Sequence, residues 1–192
     1  EVDIETCRQG EKTSWVLYSK PGVLPSIKPA VERIGTSIKV SNVFANVPAR
    51  RKFLKSALTE FRYISELMQR LALARPDVRF VLYDGQTVVM DLSPETELQR
   101  FVNVVKTGSP SNVITVDHRE GGVWLRGCIG TSAVVRNNRS GQFLFLNART
   151  IHSRSLSFAV AQCYEHVTAF EGHPLYYEAR EGIERVSRSG NP

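Results

Sequence analysis

Asp84 and Gly85 separate two β-rich runs, VRFVLY and TVVMDL, and an Asp-Gly pair in that setting is the strongest short-range hairpin signal a sequence carries. A hairpin there implies antiparallel sheet, with the helical segments on either side left to cover it. Upstream, Thr59 reads as the N-cap of a helix from Glu60 to about Ala74, in which Phe61, Ile64, Leu67, Met68 and Leu71 recur at helical spacing, and Pro76 ends it. Downstream, Pro94 opens a second helix, PETELQRFVNVV, with Glu95 and Glu97 in its first turn, where the helix dipole favours acids. ITVDH and VWLRGCIG then read as antiparallel about Gly121 and Gly122, and a polar loop around VRNNRSG leads into the strand QFLFLNA. A last helix from about Ser153 to His166 places Leu156, Val160, Cys163, Tyr164 and Val167 on one face, and PLYYEA is a candidate closing strand. From Asp77 the expected order is therefore β-β-α-β-β-β-α plus that strand, an α+β sandwich of one mixed sheet covered by two helices.

The first 43 or so residues read differently. Alternation in VDIET, a compact WVLY, the breaker cluster Lys20, Pro21 and Gly22, and a second run in SIKVSNVF give strands and turns without a complete sheet of their own. VPARRKFLK then places Pro48 in a first helical turn and gathers Arg50, Arg51, Lys52 and Lys55 around Phe53 and Leu54. The chain's 192 residues suit one domain and a fraction of another, since domains run to roughly 100 to 200 residues. A start at Glu1 with a β-like run at once suggests a piece of something longer. The tail EGIERVSRSGNP has almost no apolar content and reads as frayed.

Composition narrows the chemistry. Hydrophobic residues make up 42% and charged residues 23%, the profile of a chain that buries a real core. No stretch approaches the roughly 20 apolar residues of a membrane span and the start lacks signal-peptide features, so a cytosolic protein with no membrane partner is expected. Cys7, Cys128 and Cys163 are odd in number and far apart, which argues against a disulfide framework and a zinc site and for reduced core thiols. His166 and His173, with Glu165 and Glu171, are the nearest approach to a metal cluster, and their spacing fits no zinc site. There is no GxSxG elbow, and GCIGTS lacks the GK[ST] ending of a phosphate loop, so hydrolase chemistry has no support within the chain. The formal charge of +6 favours polyanions as partners. The cations fall in two sets: Arg50, Arg51, Lys52 and Lys55, and Arg136, Arg139, Arg149 and Arg154 near the last helix. On one face, they would track a DNA backbone without reading its sequence.

Two blocks carry a family resemblance. GTSIKVSNVFANVPARRKFLKSALTEFRYISELMQRLALARPDVRFVL resembles the signature stretch of MutL-type DNA mismatch-repair proteins, in which a GT pair precedes a strand, an F-x-N-x-PARRKFL segment and a TEF-initiated helix. GCIGTSAVVRNNRSGQFLFLNAR resembles that family's R-x-N-R-x-x-Q-x-x-F-x-N-G-R segment. Together they support the resemblance from about residue 1 to about residue 175.

The resemblance implies a fragment of the N-terminal region of a GHKL-type ATPase. Residues 1–58 would be the C-terminal remnant of the ATP-binding domain, 59–76 a connecting helix, 77–180 a second domain like domain 2 of ribosomal protein S5, and 181–192 the tail. Gly35 and Thr36 would match the last nucleotide-binding GT motif, with Thr36 on the adenine side, and Asn46 and Arg50 would belong to the segment beside the nucleotide lid. Arg154 would be the family's DNA-contacting arginine, with Arg149, Arg136 and Arg139 as neighbours, while Arg51 and Lys52 either contact DNA or face solvent. The whole protein would use ATP and magnesium, dimerise with a second copy, bind duplex DNA non-specifically, and couple a MutS-type mismatch-recognition protein to strand processing in the bacterial cytoplasm, associated with the nucleoid.

The departures from the pattern are specific. The chain has no E-x-x-x-N, no D-x-G-x-G and no glycine-rich lid, and EAREGIERVSRSGNP stands where an N-x-H-P-x-K lysine should reach the γ-phosphate. Turnover of ATP by this chain alone is therefore not expected. Ala148 replaces the glycine of the N-G-R turn, a source of strain if that position has positive φ. The first 45 or so residues should expose sheet edges, a hazard for aggregation. The alternative is a stand-alone basic S5-like module that binds RNA or DNA without an ATPase cycle.

Overall fold

The computed structural model describes residues 1–136, 138–165, 173–174 and 176–182. The chain divides into two compact units, Glu1–Glu60 and Phe61–Pro192.

In the first unit, β1 (Val2–Cys7), β2 (Thr13–Ser19), β3 (Ser26–Val31) and β4 (Gly35–Val40) form an antiparallel sheet in the order β3-β2-β1-β4. The strands thus do assemble a sheet, contrary to the expectation from sequence. β3 escapes the alternation pattern because Pro29 interrupts it, and proline is tolerated there because β3 is an edge. The register places Ile38, Ile4, Leu17 and Ile27 in one row across the sheet, and Thr36, Thr6 and Trp15 in the next row of the same face. The opposite face carries Asp3, Lys39, Glu5 and Lys28. The apolar face is open: Trp15, Ile38 and Ile27 are 48%, 61% and 63% exposed. The short helix α1 (Pro48–Arg51) follows, with its proline in the first turn.

α2 (Ala57–Ala74) begins two residues before the expected cap at Thr59. The true cap is Ser56, whose hydroxyl accepts the Thr59 N–H at 3.3 Å, while the Glu60 carboxylate reaches back to the Lys55 N–H at 2.8 Å. The buried face also differs from the expected one. Ala72 and Leu73 enter the core, whereas Ile64, Leu67 and Leu71 are exposed. Ala72 has almost no side chain and lets the helix backbone approach the core closely, so it outranks the larger residues that the periodicity selects.

In the second unit, β5 (Phe80–Asp84) and β6 (Thr87–Leu92) form the expected hairpin. Its two-residue turn is Gly85–Gln86, with Gly85 at φ 58°, as a Gly-first turn requires. The helix α3 (Glu97–Val105) is capped by the Thr96 hydroxyl, so Pro94 and Glu95 lie ahead of it rather than in its first turn. A 3₁₀ turn (Pro110–Asn112), β7 (Val113–Glu120), β8 (Val123–Gly130), β9 (Val135–Arg136), β10 (Gln142–Leu146), β11 (Arg149–Ile151), α4 (Arg154–Glu165), β12 (His173–Pro174) and β13 (Tyr176–Gly182) follow. β11-β10-β13-β8-β7 is a five-stranded mixed sheet in which only β10 and β13 run parallel, with α4 between them in the chain. β5–β6 is a separate two-stranded sheet, not part of the single sheet expected from sequence, and β9–β12 is a second small one. β13 runs two residues into the tail read as frayed. Phe101, Val104 and Val105 of α3 meet Ala72, Leu73, Leu92, Cys128, Phe143 and Phe145 in one core. Cys163 is exposed, against the expectation of three core thiols, while Tyr164 is buried with its hydroxyl donating to the Gly130 carbonyl. Val167 and His166 lie outside the described residues.

Two positions hold this unit under unusual constraint. Arg100 is 0% exposed: its Nε donates to Glu95 at 2.7 Å, Nη1 to the Ala72 carbonyl at 3.2 Å, and Nη2 faces the carbonyls of Pro76, Val78 and Ser93 at 3.0, 3.0 and 2.7 Å. In the β10–β11 turn, Asn147 and Ala148 both take positive φ, 50° and 60°, so the substitution of alanine for glycine falls where a Cβ is strained. Arg100→Met should cost about 3–5 kcal/mol, because it strands Glu95 and several buried carbonyls; a loss under about 1 kcal/mol in urea unfolding would refute the assigned role. Ala148→Gly should gain about 1 kcal/mol by relieving the left-handed alanine, visible as a higher urea midpoint at unchanged slope.

Candidate functional site

The residues expected on the nucleotide side fall at two ends of β4: Gly35 and Thr36 at its start, and Asn46 and Arg50 beyond its last residue, Val40. Gly35 opens β4 at φ 111°, a conformation that excludes a side chain, and Thr36 follows with its hydroxyl 2.8 Å from that of Thr6. Both lie at the end of β4 opposite Val40, a separation of about 13 Å at roughly 3.3 Å per residue. Beyond Val40 the chain turns through Asn42 and Phe44, both at positive φ, 52° and 60°. A cleft of about 420 Å³ opens there, lined by Glu1, Lys20, Val40, Phe44 and Asn46. Asn46 therefore faces a cavity, whereas Gly35, Thr36 and Arg50 do not line it. Arg50, Arg51 and Lys52 are exposed at the end of α1, where cations suit the helix dipole.

The cations of the second unit are spread along β10. Arg139 sits in the turn that precedes this strand, where its carbonyl accepts the Gln142 N–H, and Arg149 pairs with Leu146 beyond the other end. The strand between them spans about 13 Å at roughly 3.3 Å per residue. Arg149 and Arg154 flank the short link from β11 to α4, and both are exposed. Ser153 caps α4 by accepting the Leu156 N–H at 3.3 Å, which fixes Arg154 in the first turn. Arg136 stands apart. It is half-buried, donating to the Val105 carbonyl and, at 3.2 Å, to the Ser140 hydroxyl.

Other arginines are held by carboxylates. Arg75 grips Asp77 and Arg79 grips Asp91, each through two hydrogen bonds of 2.7–3.0 Å, and hydrogen bonding from the guanidinium holds each carboxyl below its usual range. Arg126 lies 3.2 Å from Glu97. A cluster that the sequence did not announce surrounds Trp124: Arg119 and Arg126 lie 4.1 and 4.7 Å from its ring centre, and its indole N–H donates to Asp117 at 2.8 Å. The register explains it, since Arg119 faces Trp124 and Asp117 faces Arg126 across β7 and β8.

Burial pushes the Cys128 thiol up to about 11 and the Tyr164 phenol up to about 12, so neither is a nucleophile near neutral pH. Among the described residues no group of three His, Cys, Asp or Glu could hold a metal, and no helix is long and apolar enough to cross a membrane. The histidine pair noted in the sequence falls largely outside those residues.

The family model described as DNA mismatch repair protein, C-terminal domain, matches residues 102–178. MutL of Actinobacillus pleuropneumoniae is 33% identical over 171 residues, which is 85% of this chain and 28% of that protein. MutL of Rhizorhabdus wittichii is 37% identical over 155 residues, 80% of this chain and 26% of that protein. The chain thus spans about a quarter of the length of the curated relatives it matches. Among solved structures, the Aquifex aeolicus MutL ATPase domain complexed with ADP superposes with a TM-score of 0.71 at 24% identity, covering 93% of this chain and 67% of that one. The N-terminal domain of a DNA repair protein does so with 0.76 at 18% identity, covering 94% and 60%. Both share its mixed α/β fold. With about a third of its residues identical to these relatives over most of its length, the chain belongs to the MutL-type family of DNA mismatch-repair proteins.

Proposed function

We propose that the first unit forms the closing strands of a GHKL ATP-binding domain and the second unit an S5-like domain that carries a DNA-binding face. The observation that carries this reading is the open apolar face of the four-stranded sheet, the face that carries Thr36, Trp15, Ile38 and Ile27. A free-standing sheet leaves such a face in water at a cost of roughly 25 cal/mol per Å², so it is better explained as one half of a larger packed layer.

The fit to ATP is partial. Gly35 leaves room for close backbone approach, Thr36 offers a hydroxyl, and Asn46 and Arg50 bring an amide and a cation. No residue pattern of this chain supplies a general base, a magnesium site or a γ-phosphate lysine, so its residues support no hydrolysis step. ATP and magnesium, homodimerisation, a MutS-type partner and the coupling to strand processing, in a nucleoid-associated cytoplasmic setting, are proposed for the whole protein.

For DNA, Arg154, Arg149 and Arg139 are the proposed contacts, with Arg51 and Lys52 as further candidates. All five are exposed, and in each unit such cations would give sequence-independent, salt-sensitive binding.

The purified chain should release no phosphate from ATP above background in a malachite-green assay, and turnover would overturn the assignment of its missing groups. On duplex DNA, Arg154→Glu should weaken binding and flatten the plot of log affinity against log salt by about one unit. An unchanged slope would remove Arg154 from the interface.

A further inference from the structure

We propose that Arg136 is a positioning residue that holds Arg139 ready for a phosphate of the DNA backbone and makes no such contact itself; this rests on the DNA-binding reading above. The segment from Thr131 to Gly141 joins β8 to β10 and contains β9, and the turn that carries Arg139 loses conformational entropy if it must be ordered on binding. It is tied down at both ends and in the middle. At its start, Thr131 N–H donates to the Asn112 carbonyl at 2.9 Å, and the Asn112 amide in turn donates to the Thr107 carbonyl at 2.9 Å. At its end, Asn138 accepts the Ser140 N–H at 3.0 Å and the Arg139 carbonyl accepts the Gln142 N–H at 3.2 Å, which shapes the turn that carries Arg139.

In the middle the backbone pairs as β9 with β12, Arg136 opposite His173, and the Arg136 side chain adds a second tie. Its Nη2 donates to the carbonyl of Val105, the last residue of α3, and its Nη1 to the Ser140 hydroxyl at 3.2 Å. The Val105 carbonyl is one of the four that a helix leaves without an internal partner, and it lies at the negative end of the helix dipole. A guanidinium is well suited to that position, and both terminal nitrogens that would grip a phosphate are already engaged with the protein. Arg139, three residues on, is exposed. The two arginines thus divide the work: one fixes the loop to a buried helix end, and the other presents its charge to solvent.

The division has a thermodynamic signature. A phosphate contact contributes about 0.9 to the salt slope of duplex binding, whereas a positioning residue changes affinity without releasing a counterion. The test measures duplex DNA affinity from low to high salt for this chain and for Arg139→Gln, Arg136→Gln and Arg136→Lys, with hydrogen exchange at Ser140 and Gln142 as a second readout. Arg139→Gln should lower the slope by about 0.9 with exchange unchanged. Arg136→Gln should give a line parallel to that of the parent, weaker at every salt by about three- to tenfold, the cost of ordering one or two side chains on binding. Its loop amides should exchange faster. Arg136→Lys should fall between the parent and Arg136→Gln in exchange, since an ammonium lacks the fork that reaches both acceptors. If Arg136→Gln lowers the slope as much as Arg139→Gln, or leaves loop exchange unchanged, the positioning role is wrong. If the parent chain shows no salt-dependent DNA affinity, the DNA-binding reading itself fails.

Discussion

The second unit is organised around a charge that never reaches water. Arg100 ties together three segments that would otherwise meet with bare carbonyls: the last turn of α2 through Ala72, the link to β5 through Pro76 and Val78, and the link from β6 through Ser93. Each of these oxygens needs a donor once buried, and a guanidinium with five N–H groups is the one side chain able to serve so many. Glu95 neutralises it at 2.7 Å and is itself held by Asn103 at 2.6 Å, so the pair is closed within the protein. Much else is downstream of this contact. Fixing Arg100 sets the rotation of α3, which turns Phe101, Val104 and Val105 into the core and brings the Val105 carbonyl to where Arg136 can cap it. A buried pair of this kind gives little net stability over an apolar replacement, so its value lies in specifying how the corner closes.

The two units handle their apolar surface in opposite ways. The second encloses Phe101, Phe143 and Phe145 almost completely. The first has comparable apolar content but alternates it onto one face of an antiparallel sheet, and that face stays open at Trp15, Ile27 and Ile38. The strand pattern is thus satisfied at the level of hydrogen bonds and unsatisfied at the level of packing. A sheet with charged residues on one side and a continuous apolar row on the other is built to be one layer of two.

Legibility in the sequence follows the range of the interactions. The β5–β6 hairpin, the turn at Gly121 and Gly122 and the cap of α4 at Ser153 depend on neighbours a few residues apart, and each is readable from turn and capping chemistry. The strain at Ala148 is legible through the family resemblance, because alanine stands there in place of the glycine of the N-G-R turn, and the position has φ 60°. What escaped were decisions made across the fold. Arg100 looks like any arginine of an amphipathic helix until Ala72 and Pro76 are brought beside it, 28 and 24 residues away. The buried face of α2 differs from the one its apolar spacing selects, because the contacts that bury Ala72 and Leu73 come from α3 and the sheet, elements distant in sequence. Of the candidate site, the residue types and their order along the chain are legible and their partners are not: only the fold reveals that Arg136 is held by the Val105 carbonyl while Arg139 stays exposed.

The net charge of +6 gains meaning once the cations are sorted by what they touch. Arg75, Arg79, Arg100 and Arg126 are matched to Asp77, Asp91, Glu95 and Glu97, so around α3 and the β5–β6 hairpin the charges largely cancel. The exposed pairs among them add little, since such pairs are worth about 0–1 kcal/mol, but they remove those arginines from long-range electrostatics. Part of the excess is left on Arg139, Arg149 and Arg154 along β10 and the start of α4, and part on the Arg50–Lys52 segment of the first unit. Exposed cations without matched carboxylates raise the local potential and concentrate a polyanion before any specific contact forms. Fold and charge therefore act together: the carboxylates that satisfy the structural arginines remove those charges from the surface field, and the segments proposed to meet DNA are among those that keep theirs, beside exposed lysines such as Lys28, Lys39 and Lys106.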